Sequence, residues 1–197
     1  MNIILASNSP RRKELLATLV KDFEIIPSSF DENTVKSQIL SPDNLVKKLS
    51  FEKANSVFND VYNNYKDMVV IGADTLIWFN NTVIGKPKNE EHAFNILNLL
   101  QSNTHFVYTG ISVIMKKSDK TYIRNDFTKC SVTMKQMNTQ EILNYITTKE
   151  PLDKAGAYAI QGIGKKYVAS FSGNLQAIIG LDIDKLKEIF TDFGVIN

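Results

Sequence analysis

Hydrophobic positions along this chain recur with two periods, and the switches between them mark its elements. A short apolar run, Ile3-Ile4-Leu5-Ala6, breaks at Ser7-Asn8-Ser9-Pro10, after which leucines return at helical spacing. That order predicts a buried strand, a tight turn and a helix over about 11–20. Ser9 is the expected N-cap, and Pro10 takes the first helical position, where its missing N–H costs nothing. Residues 23–26 read as a short strand leading into the polar loop Pro27-Ser28-Ser29-Phe30-Asp31-Glu32-Asn33. Ser41-Pro42 repeats the cap-then-proline signature of a helix start. Behind it, Val46, Leu49, Ala54, Val57 and Val61 recur at helical steps and make one apolar stripe. The run Asp67-Met68-Val69-Val70-Ile71-Gly72 is continuous and β-branched, as a strand covered on both faces requires. It predicts Ala73-Asp74-Thr75 at the strand's carboxyl end.

Residues 76–79 and 82–84 flank Asn80-Asn81 as a hairpin, which exits into Gly85-Lys86-Pro87. Residues 89–101 form an amphipathic helix, with Asn89 as cap and Ala93, Ile96, Leu97 and Leu100 facing inward. Two long strands, about 104–116 and 120–134, are joined by Ser118-Asp119 and expected to be antiparallel, which makes the sheet mixed. Thr139 is the expected cap of a helix ending at Glu150-Pro151. Beyond a stretch with three glycines (152–164), residues 165–171 and 175–179 are expected to pair as strands about Ser172-Gly173-Asn174. A helix over 183–190 follows. No repeat or linker interrupts the pattern, so residues 1–197 are expected to be one α/β domain.

The totals narrow this picture. With 197 residues, of which 43% are hydrophobic and 22% charged, the chain can bury a full core. A net charge of +2 is too small to drive nucleic-acid or membrane binding through bulk electrostatics, so neither partner is expected. Cys130 is the lone cysteine, which excludes an intramolecular disulfide. Nothing resembles a signal peptide, and no segment approaches the ~20 apolar residues of a membrane span. The expectation is a soluble, cytoplasmic protein.

Candidate chemistry gathers at the element ends. A helix N-terminus favours acidic residues in its first turn, yet this one carries Arg11, Arg12 and Lys13. Free N–H groups, the hydroxyls of Ser7 and Ser9 and two guanidinium forks make a ready anion site; a surface helix with a basic first turn is the plainer alternative. Asp31-Glu32 is either solvated or, folded over the arginines, a metal or acid–base pair. Lys53 falls on the apolar stripe, where it either snorkels to water or meets an anion in a cleft. Asp74 stands where open α/β sheets place their ligands. Lys86, pinned between glycine and proline, suits a phosphate, and Lys154 beside Asp153 adjoins the glycine stretch, whose spacing is neither a P-loop nor a Rossmann fingerprint. His92 and His105 lack metal-ligand spacing with Cys130, which argues against zinc and histidine nucleophile chemistry. Cations with hard oxygen ligands fit phosphate-ester or anhydride chemistry assisted by a divalent ion.

Ser7-Asn8-Ser9-Pro10-Arg11-Arg12-Lys13-Glu14-Leu15-Leu16, Asp31-Glu32, Glu52-Lys53-Ala54, Gly72-Ala73-Asp74-Thr75, Gly85-Lys86-Pro87, Thr109-Gly110, the run from Glu150 to Tyr158, Ile160-Gln161-Gly162 and Gly180-Leu181 occur in this order. Together they resemble the signatures of the Maf family of nucleoside triphosphate pyrophosphatases. The resemblance implies hydrolysis of the α–β phosphoanhydride to a monophosphate and pyrophosphate, with Mg²⁺ or Mn²⁺. It implies an inosine-triphosphatase-like α/β fold, an elongated mixed sheet flanked by helices with a cleft between two lobes, and homodimers are frequent in such families. Asp74 matches the family's proton acceptor and would share the metal with Glu32. Ser7, Ser9, Arg11, Arg12, Lys53, Lys86 and Lys154 are then substrate ligands. Arg11, Thr75 and Gln161 fall where substrate choice is decided, and all three agree with the dTTP- and UTP-directed branch, which also accepts modified pyrimidine nucleotides. The alternatives are 7-methyl-GTP, a damaged purine nucleotide, or nucleotide binding without turnover in a regulator of cell division. Asp182 departs from the family's usual proline and is expected to affect only the start of the last helix.

Overall fold

The computed structural model describes residues 1–36 and 40–196. The elements run β1 (Asn2–Leu5), α1 (Pro10–Ala17), β2 (Glu24–Ile25), α2 (Asn33–Lys36), α3 (Pro42–Val61), β3 (Met68–Phe79), β4 (Thr82–Ile84), α4 (Glu90–Leu100), β5 (Thr104–Lys117), β6 (Lys120–Met134), α5 (Thr139–Thr147), β7 (Val168–Ser172), α6 (Leu175–Ile179) and α7 (Ile183–Asp192). Three short 3₁₀ turns, Glu150–Asp153, Ala155–Ala157 and Gly162–Tyr167, separate α5 from β7. The strands make one seven-stranded sheet in the order β2-β1-β3-β5-β6-β7, with β4 against β3. β1 runs parallel to both β2 and β3, whereas β4 on β3 and β7 on β6 are antiparallel. The sheet is therefore mixed. Asn80 and Asn81, and likewise Ser118 and Asp119, all take positive φ, the conformation that a type I′ hairpin turn demands of both its central residues.

The chain divides into two compact units. The first comprises Met1–Asp74, Thr109–Thr128 and Gly180–Asn197, and the second Thr75–Tyr108 and Lys129–Ile179. Each has its own apolar core. In the first, Leu5, Leu16, Ile71, Ile111, Leu186 and Phe190 are buried together, and a further cluster sets Ile4, Val57, Phe58 and Val70 between α3 and the sheet. In the second, Leu97, Leu100, Val132, Ile142 and Tyr145 surround the α4 and α5 faces. The inward stripes expected of α3 and α4 are buried.

Several local expectations need correction. The segment 175–179 is not a strand but the helix α6. Asn174, expected as a turn residue, caps it, because its side-chain oxygen accepts the Ala177 N–H at 3.0 Å. Residues 165–167 belong to a 3₁₀ turn, so β7 begins only at Val168 and pairs with β6. Asn138 rather than Thr139 caps α5, in a reciprocal capping box with Glu141. The backbone of Ser9 has N-cap geometry, but its hydroxyl does not bond the first turn; its own N–H donates to Ser7 Oγ at 3.2 Å. Asp74 is not at the end of its strand, since β3 continues through Thr75 to Phe79. It does lie at the carboxyl end of the parallel pair, because the β1 register on β3 stops at Leu5 opposite Ile71. Among the described residues, no helix is long and apolar enough to cross a membrane.

Candidate active site

In the first unit, two glycines decide where α3 lies. A Cβ on Gly72 would stand 2.2 Å from the Ser50 carbonyl oxygen and 2.7 Å from the Ala54 nitrogen, and one on Gly110 would stand 2.2 Å from the Val46 carbonyl oxygen. Only bare backbone in β3 and β5 lets the helix come this close. The contact is reinforced by the buried hydroxyl pair Ser50–Ser112, 3.0 Å apart. Lys53, between Ser50 and Ala54, therefore reaches across to the strand. Its Nζ is 2.5 Å from Asp74 Oδ1 and 2.6 Å from Glu32 Oε1. Of the two carboxylates Asp74 is the deeper, with a side chain 11% exposed against 34% for Glu32. Lys53 thus meets two anions rather than snorkelling to water, and Glu32 folds inward rather than standing in solvent.

A second cation joins this cluster. Where β1 ends, Ala6 N–H still donates to Ile71 O at 2.8 Å, so Ser7 leaves the sheet alongside Ala73-Asp74. Arg12, in the first turn of α1, donates through Nε to the Gly180 carbonyl oxygen at 2.8 Å and through Nη1 to Ser7 Oγ at 3.3 Å. Burial lowers the Arg12 pKa, Asp74 raises it, Arg11 lowers it again and Glu32 raises it. A guanidinium stays charged through such pulls, so Arg12 is a fixed cation facing the carboxylates that Lys53 bridges. Arg11 is partly exposed on the same turn. Next to Gly180-Leu181, Asp182 caps α7 by accepting the Lys185 N–H at 3.0 Å, but its role is not confined to the start of that helix. It also accepts a hydrogen bond from the Thr128 hydroxyl, a partner that the sequence alone does not suggest.

The remaining candidates, Thr75, Lys86, Lys154 and Gln161, belong to the second unit. Thr75 is partly buried on β3, while Lys86 is exposed on its loop. Gly85 O accepts the Gly156 N–H at 3.1 Å, which ties the Lys86 loop to the turn after Lys154. Lys154 pairs with Asp153. Gln161 is exposed and lines an open groove of about 580 Å³ together with Lys165, Ser170 and Phe171. Sequence reasoning passed over three features here. His105 is fully buried, with Nε2 2.7 Å from Tyr158 Oη. Glu150 and Tyr145 bond the backbone around Gln161. The signal for Tyr145 and Glu150 was the glycine spacing at 162 and 164, which records what those two side chains leave no room for.

A mixed α/β chain with a carboxylate pair bridged by one lysine and faced by a half-buried arginine is the kind of site that handles anionic substrates. The chain belongs to the Maf family: the family model described as "Maf-like protein" matches residues 2–193. A protein of Clostridium novyi (strain NT) named dTTP/UTP pyrophosphatase is 45% identical over 197 residues, 99% of each chain. One of the same name from Caldicellulosiruptor bescii is 42% identical over 192 residues, covering 98% of this chain and 94% of the relative. Among solved structures, the Ham1 protein of Staphylococcus aureus aligns with a TM-score of 0.36 and 10% identity over 85% of this chain and 93% of that one. A HAM1 protein from Coxiella burnetii aligns at 0.37 and 12% over 98% and 99%. At these scores the likeness carries no weight.

Proposed function

We propose that this protein is a nucleoside triphosphate pyrophosphatase of the cytoplasm, directed at dTTP and UTP, that cleaves the α–β phosphoanhydride to the monophosphate and pyrophosphate. The observation that carries the reading is the convergence of Asp74 and Glu32 on one lysine with Arg12 beside them. The names of relatives more than 40% identical over almost the full chain support the choice of substrate.

The donor set fits a divalent cation. Asp74 Oδ1 and Glu32 Oε1 both lie within 2.6 Å of the Lys53 ammonium, so a divalent ion held by the two carboxylates would displace that ammonium and leave Lys53 to the triphosphate. Among the described residues, no group of three or more His, Cys, Asp or Glu side chains could hold a metal. Two carboxylates, with phosphate and water completing the shell, is the arrangement Mg²⁺ prefers. When bound there, the ion would supply charge neutralisation and Lewis acidity toward the phosphate oxygens.

The protein's own residues do the rest. Arg12 and Lys53, with Arg11 and the Ser7 and Ser9 hydroxyls, offset the triphosphate charge. Asp74, shielded from bulk water, orients the attacking water and takes its proton as that oxygen bonds the α-phosphorus and pyrophosphate departs. Positioning and electrostatics then supply most of the acceleration. The same reading carries Thr75, Lys86, Lys154 and Gln161 over to substrate contact, with Arg11, Thr75 and Gln161 selecting the base. The test is pyrophosphate release from a panel of canonical, 7-methylated and damaged nucleotides with Mg²⁺ and with Mn²⁺. Asp74→Asn should lower turnover of dTTP and UTP by about 10²–10⁴-fold, the usual worth of a general base, with the melting curve still cooperative. Near-normal turnover overturns the assignment. Turnover confined to a purine nucleotide overturns the choice of substrate.

A further inference from the structure

The proposed mechanism leaves unused a polar arrangement in the second unit. Tyr145 lies in α5, and Glu150 opens the turn that follows. Glu150 Oε2 accepts the Tyr145 hydroxyl at 2.7 Å and the Gly164 N–H at 2.8 Å, while Oε1 accepts the Ile163 N–H at 3.0 Å. The Tyr145 hydroxyl oxygen in turn accepts the Ala159 N–H at 3.2 Å. The backbone is thus gripped at Ala159 and again at Ile163 and Gly164. Gln161 is the middle of the gripped segment.

The glycines record the same grip. A Cβ on Gly162 would meet Glu150 Oε1 at 2.3 Å, and one on Gly164 would meet Tyr145 Oη at 2.4 Å. Gly162 also takes a φ of 75°, where a side chain is strained. Burial first, and then Glu150, push the Tyr145 pKa up, so its hydroxyl remains a proton donor. One carboxylate accepts from two amides and a phenol, and such charge-assisted bonds are roughly twice as strong as neutral ones. They fix a backbone that offers an otherwise exposed glutamine to a groove. Pre-organisation of that kind lowers the ordering cost of binding without adding a contact.

We propose that Glu150, with Tyr145, is a positioning residue for substrate selection: it holds Gln161 so that the side-chain amide meets the nucleobase. The inference rests on the reading of Gln161 as a substrate contact. The experiment is a double-mutant comparison of Glu150→Gln, Gln161→Ala and the pair, with KM and kcat measured for dTTP and UTP and with CTP as the discriminated base. Glu150→Gln keeps the shape but replaces an acceptor oxygen with a donor. It should raise KM for dTTP and UTP about tenfold, leave kcat within about threefold, and erode the preference over CTP in step. The double variant should be no worse than Gln161→Ala alone, because both act on one contact.

Losses that multiply, or a fall in kcat at unchanged KM, overturn the proposal. Tyr145→Phe, which removes the hydroxyl and leaves both amide bonds to Glu150, should raise KM about threefold and again add nothing to Gln161→Ala. That variant decides the matter if Glu150→Gln does not fold. If Gln161→Ala itself retains normal KM and base preference, the reading of Gln161 has failed. If Gln161→Ala is impaired and Glu150→Gln is not, the positioning role alone has failed.

Discussion

Gly72→Ala puts the approach of α3 to the sheet to the test. The added methyl carbon would sit 2.2 Å from the Ser50 carbonyl oxygen and 2.7 Å from the Ala54 nitrogen, where ordinary contact begins at 3.4 Å. Both neighbours are backbone of a 20-residue helix, so no side chain can swing aside. The helix must retreat by roughly 1 Å or the strand must bend, and overpacking of this kind costs about 1–3 kcal/mol. For a chain of this length each kcal/mol lowers Tm by about 2–4 °C, so a fall of several degrees is expected by scanning fluorimetry. Lys53 sits between the two displaced residues, and a retreat of that size stretches the contact of its Nζ with Asp74 Oδ1, now 2.5 Å, toward the limit of hydrogen-bond reach. The lysine stem absorbs part of the shift. A misplacement near 1 Å can cost about 10²-fold, and at least tenfold is expected here in kcat/KM for dTTP. Gly85→Ala is the control for stability, since nothing lies within 4 Å of its would-be Cβ. A Gly72→Ala protein with unchanged Tm and kcat/KM within twofold of normal would refute the reasoning.

Two further outcomes are expected. Burial lowers the His105 pKa from 6.5 to about 4, so between those values the unfolded chain binds a proton that the folded chain does not. Stability should therefore fall as pH drops through that window, by up to about 1.4 kcal/mol per unit. Urea melts at pH 7 and pH 5 check this, and an equal slope in His105→Gln would exclude the histidine as its source. Asp182→Ala removes the cap of α7 and the partner of the Thr128 hydroxyl. A loss of about 1–2 kcal/mol is expected, and a melting curve unmoved by the change would show that the cap contributes nothing.

Periodicity carried the helices because their apolar faces are buried where the 3.6-residue repeat says they should be, and the continuous β-branched run carried β3, whose residues from Met68 to Asp74 are all buried. It could not aim Lys53. A lysine on an apolar stripe either snorkels or turns inward, and here the choice is made by Gly72, nineteen positions away, through a missing Cβ. Asn174 illustrates a different limit. Ser-Gly-Asn before Leu-Gln-Ala-Ile-Ile reads equally as a hairpin turn or a helix cap, and a five-residue element is too short for its period to decide. The glycines at 162 and 164 were visible in the sequence, but their cause, a glutamate and a tyrosine more than ten residues upstream, exists only after folding. The blocks of family resemblance contain the residues of the cluster but do not say which of them touch.

The separation of the two apolar cores bears on how the chain is made. The core of the second unit draws on residues from Ile77 to Ile178, whereas that of the first needs Leu5 near one end and Leu186, Ile189 and Phe190 near the other. Synthesis delivers residues in order, and domains ordinarily close N-terminal first. Here the order is inverted. The inserted unit has all its core residues before α7 emerges, while the strand and helix that begin the chain must wait for the last helix to complete their interior. On a nascent chain, the basic turn around Arg12 must wait for almost the whole chain before the Gly180 carbonyl that holds it is made.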